Sequence, residues 1–139
     1  MFFLVILIFC FPCFGTSSPC NKMAKDLKLV RVNHLKFNIA RQLNVDNVNV
    51  LSLFENQSWS VVYVETDIAD NAFIFYSGDI YTDNFVTLWS GAAEISEEKN
   101  IAQWAEDNAK GIPDELARCF AWYTTHGRNE YEAKPMNKP

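Results

Sequence analysis

The residues of this chain best suited to chemistry are four cysteines, two histidines and several loop carboxylates. Cys10 and Cys13 stand inside an N-terminal apolar run, whereas Cys20 and Cys119 lie outside it. Two cysteines without a His or Cys at ligand spacing do not make a zinc site. The histidines are His34 and His126. A hydrolytic triad needs a Ser or Cys activated by a His that a carboxylate orients. Ser90, in Trp89-Ser90-Gly91-Ala92, is the candidate nucleophile, but it has no Gly-x-Ser-x-Gly elbow around it. His126 precedes Gly127 at the end of a helical pattern, where a positive imidazole complements the helix dipole. His34 falls on a helix surface. Glu65, Asp67 and Asp70 precede one apolar run, and Asp79 and Asp83 follow it. Carboxylates on adjacent loops suit calcium, or a sugar held between an acid and a base. Their spacing matches no dedicated loop, and Asp and Asn are also the ordinary residues of turns. A Gly-rich phosphate cradle is absent, and Asn56-Gln57-Ser58 is formally a glycosylation sequon. The reading assigns no catalytic residue, no metal ligand and no cofactor.

Aromatic residues are the other resource. Trp59, Trp89, Trp104 and Trp122 are many tryptophans for a small domain, and they belong either to a packed core or to a ligand surface. The elements that position them are four runs rich in β-branched and aromatic residues, at 48–54, 59–66, 72–77 and 85–89. Turn-forming residues separate them at 55–58, 67–71 and 78–84, the pattern of an antiparallel meander of three or four strands. A half-solvated strand alternates apolar with polar residues. Here Trp59, Val61 and Tyr63 oppose Val62 and Val64, and Phe73 and Phe75 oppose Ile74 and Tyr76, so both faces are apolar. One face is expected under helices and the other against a second protein or a second copy of the chain, because soluble monomers rarely expose such a patch. The competing arrangement puts helices on both faces. Under the first, Trp59, Tyr63, Phe73, Phe75, Tyr76 and Trp89 are the candidate binding residues.

Helical patterns flank the meander. Val32, Leu35, Ile39 and Leu43 share one helix face, and Ser18-Pro19 suits a helix start, which predicts one helix over 19–43. A short strand within 26–33 is the alternative. Ser96 caps a second helix whose buried side carries Ile101, Trp104, Ala105 and Ala109, with Gly111 ending it. Pro113 starts a third, with Leu116, Ala117, Phe120 and Tyr123 inward and Gly127 as its stop. Segregated strands and helices give an α+β domain: an N-terminal helix, the meander and two C-terminal helices.

Residues 2–14 are apolar apart from the break at Pro12, and Gly15-Thr16-Ser17-Ser18 follows. An apolar core shorter than the roughly 20 residues of a membrane span, ended by small residues, predicts a secretory signal peptide cleaved after Gly15 or Ser17. The n-region lacks Lys and Arg, which departs from the usual pattern. Residues 1–17 are thus read as the leader, 18–127 as one α+β domain and 128–139 as a flexible polar tail. Loss of the leader removes Cys10 and Cys13. Cys20 and Cys119 remain in an oxidising compartment and are expected to pair. The formal charge of −5 disfavours nucleic acid and anionic membrane surfaces. The composite expectation is a periplasmic or secreted, non-catalytic binding protein that acts on another protein or on itself as a homodimer, of the kind an immunity or inhibitor protein would be. No stable membrane span remains after leader removal. The alternative is a small-molecule-binding or hydrolytic domain with a pocket between sheet and helices.

Overall fold

The computed structural model describes residues 18–128, so the leader expected over 1–17 and all but the first residue of the tail expected over 128–139 lie outside the described residues. Four strands, β1 (Val48–Asn56), β2 (Trp59–Thr66), β3 (Ala72–Tyr76) and β4 (Thr87–Ser90), form one antiparallel sheet in chain order. Helix α1 (Val32–Leu43) precedes the sheet, and α2 (Glu98–Asn108) and α3 (Asp114–Trp122) follow it. Helix α3 runs directly into a π-helical turn, Tyr123–Gly127. This is the expected α+β architecture.

Register divides the side chains. Tyr63 pairs with Phe73, Val61 with Phe75, and Phe73 in turn with Trp89. With Trp59 and Phe54, these residues share a core with Ile101, Ala105, Leu116, Ala117 and Phe120 of α2 and α3. Val62, Val64, Ile74 and Tyr76 point the other way, onto Leu35 and Ile39 of α1 and onto Ile80. Every residue of β3, and β2 from Trp59 to Val64, is buried. The expectation that a partner covers one sheet face is therefore corrected. The chain closes both faces itself, with α1 on one and α2 and α3 on the other.

The N-terminal segment makes that division possible, and it also corrects the helix expected over 19–43. Ser18-Pro19 opens a turn in which the Ser18 Oγ accepts from the Cys20 N–H at 3.1 Å. Cys20 and Met23 pack in the core beneath α3, whereas Leu27 and Val30 pack against the core beneath α1. A continuous helix cannot place those residues on opposite sides of a sheet. The segment instead wraps the β1 edge, where the Glu55 N–H donates to the Met23 carbonyl and the Lys25 N–H to the Leu53 carbonyl, both at 2.9 Å. Part of an edge that would invite foreign strands is thereby occupied. Helix α1 begins only at Val32 and ends at Asn44, which adopts the left-handed conformation (φ 54°) that Asn tolerates better than most residues.

Cys20 and Cys119 form a disulfide with α-carbons 4.8 Å apart, closing a loop of 99 residues. It ties the first turn of the described chain to the middle of α3. Ser96 does not cap α2, which begins at Glu98. Glu94 and Glu97 make a reciprocal capping box, and the short 3₁₀ turn Ile95–Glu97 feeds into the helix. Trp104 is only half-buried, its ring 5.8 Å from Phe75 and 6.2 Å from Phe120. Phe120, fully buried, occupies the centre of the aromatic cluster that Trp104 was expected to help fill.

The β3–β4 connection is fastened to α1 by side-chain amides. Buried Asn38 donates to the carbonyls of Ile80 (2.9 Å) and Asp83 (3.1 Å). Gln42 accepts from the Phe85 N–H at 2.6 Å, and its amide nitrogen lies 3.2 Å from the Tyr76 hydroxyl. The Tyr76 side chain is fully buried, and burial pushes its phenol up to about 12, opposed by the Gln42 hydrogen bond and the Arg41 charge. An unfolded tyrosine ionises near 10. The folded state thus holds the phenolic proton more tightly, and this contribution is complete below pH 10 and lost as pH rises to about 12. Urea midpoints are expected to fall across that window, and to fall less steeply in Tyr76→Phe. Equal slopes would show that the buried phenol plays no part.

Candidate functional site

The residues weighed for chemistry are not brought together. His34 is exposed on α1, on one side of the sheet. His126 belongs to the opposite side. Its Nδ1 is 2.9 Å from the Thr125 hydroxyl and 3.7 Å from the Glu98 carboxylate, and its ring stacks on Trp122. Ser90 ends β4, exposed, with no hydrogen bond to either imidazole among the described residues. The acidic loops serve turns. Asp79 accepts from the Tyr81 N–H, and Asp83 from the Asp79 N–H, each at 2.8 Å. Among the described residues, no three His, Cys, Asp or Glu side chains are grouped to hold a metal ion.

The six aromatic candidates do not share an accessible surface. Trp59, Tyr63, Phe73 and Phe75 are buried under α2 and α3, and Tyr76 is buried under α1. They hold the sandwich together, and a flat partner cannot reach them without displacing a helix. Trp89 alone is partly exposed.

One member of that set, Tyr63, nevertheless borders a cleft. Where β2 and β4 end and β3 begins, a recess of about 480 Å³ is lined by Tyr63, loop residues 69–71, residues 91–93, Thr124 and Arg128. Each wall has a local cause. Thr124 and Thr125 return their hydroxyls to the carbonyls of Phe120 and Ala121 (2.7 and 2.8 Å), bonds that compete with regular helical pairing as the helix opens into its π-turn. Gly127 does not stop the helix as expected. A Cβ there would approach the Tyr123 ring at 2.7 Å, so its bare α-carbon serves close packing. The helix therefore continues to Arg128, which was assigned on sequence to the tail but is helical and half-buried.

Arg128 is the focus of the cleft. Its Nε donates to the Thr124 carbonyl at 3.1 Å, and its guanidinium carbon lies 5.6 Å from the ring centroids of both Phe73 and Trp89. That is cation–π distance to two rings. No carboxylate among the described residues is ion-paired with it. Across the cleft, Asn71 donates to the Tyr63 hydroxyl at 3.3 Å, which leaves the phenolic hydrogen free to donate into the recess. Asp70 lines the recess without a cationic partner among the described residues. Gly91, at φ 120°, has open space where a Cβ would stand, and Ala92 and Ala93 continue a wall of small residues. The arrangement offers a cation, an anion and a hydroxyl to something small.

In other clefts part of the charge is already paired. Between α2 and α3, Asp114 pairs with Arg118 at 3.1 Å, and a hydrogen bond to Asp114 raises the Glu106 carboxyl above its ordinary value. Beside the β1 edge, Lys25 pairs with Glu55, and Asp26 accepts from the Lys28 N–H.

No family, no curated protein and no solved structure matches the chain. Among the described residues, no helix is long and apolar enough to cross a membrane.

Proposed function

We propose that this chain is an exported, non-catalytic binding protein whose recognition site is the strand-end cleft. The observation that carries this reading is Arg128: a half-buried guanidinium seated on two aromatic rings with no carboxylate of its own. A half-buried cation without a counter-charge keeps part of its charge for something else to pair. A disulfide joining the two ends of the described domain accords with an oxidising compartment. Because the helices occupy both sheet faces, recognition of a broad apolar surface is not what this fold offers. A partner of the immunity or inhibitor type would insert a protruding segment. The small-molecule reading is favoured by one specific observation, the recess of about 480 Å³ between sheet and C-terminal helix. That is within the 300–1,000 Å³ range of ligand pockets.

Native mass spectrometry of the protein isolated without denaturation from its own export compartment tests the site. The wild-type chain should carry an added mass, from a small molecule or a protein, that Arg128→Ala lacks. A bare wild-type chain, or an added mass that survives the substitution, would count against the cleft.

A further inference from the structure

From the opposed, unpaired charges in one small recess we infer that the cleft takes a short zwitterion, an amino acid or dipeptide with a free carboxylate and a free ammonium group. The inference rests on the strand-end cleft being the binding site. The Arg128 Nε is engaged by the Thr124 carbonyl, and the rings of Phe73 and Trp89 support the guanidinium. Its two terminal nitrogens remain, a planar fork that fits the two oxygens of a carboxylate. Asp70 supplies the opposite requirement, a carboxylate lining the same recess with no cation of the protein beside it. A phosphate would suit Arg128 alone and would be repelled by Asp70, whereas a molecule with both charges satisfies both residues. The Tyr63 hydroxyl can donate to the ligand carboxylate, and the Asn71 amide oxygen, left free by the hydrogen bond that its nitrogen makes, can accept from the ammonium. Ala69, Gly91, Ala92 and Ala93 add little bulk to the walls, leaving the volume to the ligand. At about 480 Å³ the recess suits a molecule of a few residues at most.

The test is a titration of the disulfide-intact protein with alanyl-alanine, its C-terminal amide, its N-acetyl form and inorganic phosphate, followed by NMR shifts of the Trp89 indole and Arg128 Nε protons. The free dipeptide should bind, each blocked form at least about tenfold more weakly, since one charge-assisted contact is lost. Phosphate should not compete. In Arg128→Gln the preference for free dipeptide over the amide should vanish, and in Asp70→Asn the preference over the acetylated form. Arg128→Lys keeps the charge without the fork and should retain part of the first preference. Thermal midpoints of the variants separate folding from recognition. Silence at the cleft resonances with millimolar dipeptide, equal binding of all three peptides, or preferences unchanged by the variants would overturn the inference. If the native isolate still carries an Arg128-dependent mass, only the ligand class falls. If it does not, the site falls with it.

Discussion

Removing the Cys20–Cys119 bond, by Cys20→Ala with Cys119→Ala, is expected to lower the free energy of unfolding by about 2–5 kcal/mol. The bond closes a loop of 99 residues, close to the whole described domain. The chain-entropy argument gives about 4.7 kcal/mol for a loop of that size. Both cysteines are buried, so truncation also removes two sulfurs from the core beneath α3. The loss is a large share of the roughly 5–15 kcal/mol that holds a domain of this size. Urea unfolding without reductant measures it, and a change under about 1 kcal/mol would show that the bond contributes little. The effect should also be local. The segment that wraps the β1 edge is anchored through Cys20, and its backbone bonds to Leu53 and Glu55 should exchange faster in the variant.

Phe120→Ala is expected to cost about 3–5 kcal/mol. Its side chain is fully buried on α3, and its ring meets those of Phe73 at 5.0 Å, Phe75 at 4.9 Å, Trp89 at 5.9 Å and Trp104 at 6.2 Å. Truncation leaves a void that rigid neighbours fill poorly, and it withdraws edge-to-face contacts from three rings and a tilted one from Trp104. Trp104→Ala should cost less, because the half-exposed indole gives up less buried area. Parallel denaturant melts would order the two. A larger loss at Trp104 would mean that the cluster is centred elsewhere.

Much of the fold is legible in the sequence because its signals are local. Strand β2 falls on the run at 59–66, and Gln57 and Ser58 turn the chain before it, whereas Glu55 and Asn56, expected in that turn, belong to β1. The two-sided apolar pattern of β2 and β3 correctly implied cover on both faces. What local pattern cannot convey is which element supplies that cover. Met23 and Val30 look alike in sequence, yet they pack on opposite sides of the sheet because a disulfide holds one end of their segment under α3. Helical propensity across 19–31 loses to that tether and to the pairing with β1. The fourth run shifts for a related reason. Phe85 is drawn toward the α1 side, where its amide bonds Gln42, so strand pairing begins only at Thr87.

The site was legible only in pieces. Tyr63 and Trp89 were candidates by type, and Asp70 by its loop, but nothing in their spacing joins them. Arg128 was missed because a Gly commonly ends a helix, and Gly127 was read that way. The structure uses the missing side chain for contact with Tyr123 instead, and carries the helix one residue further. A hint lay in Thr124-Thr125, two hydroxyls one residue apart that can bond back to the preceding turn and loosen a helix end.

The claim on which the rest stands is that the chain closes both faces of its sheet and so leaves recognition to the strand ends. Amide hydrogen exchange across Trp59–Thr66 and Ala72–Tyr76, at protein concentrations a hundredfold apart, tests it most directly. Protection in both strands should be high and the same at the two concentrations, because α1, α2 and α3 of the same molecule cover them. Protection that falls on dilution would mean that a second chain covers the sheet, and would contradict the account.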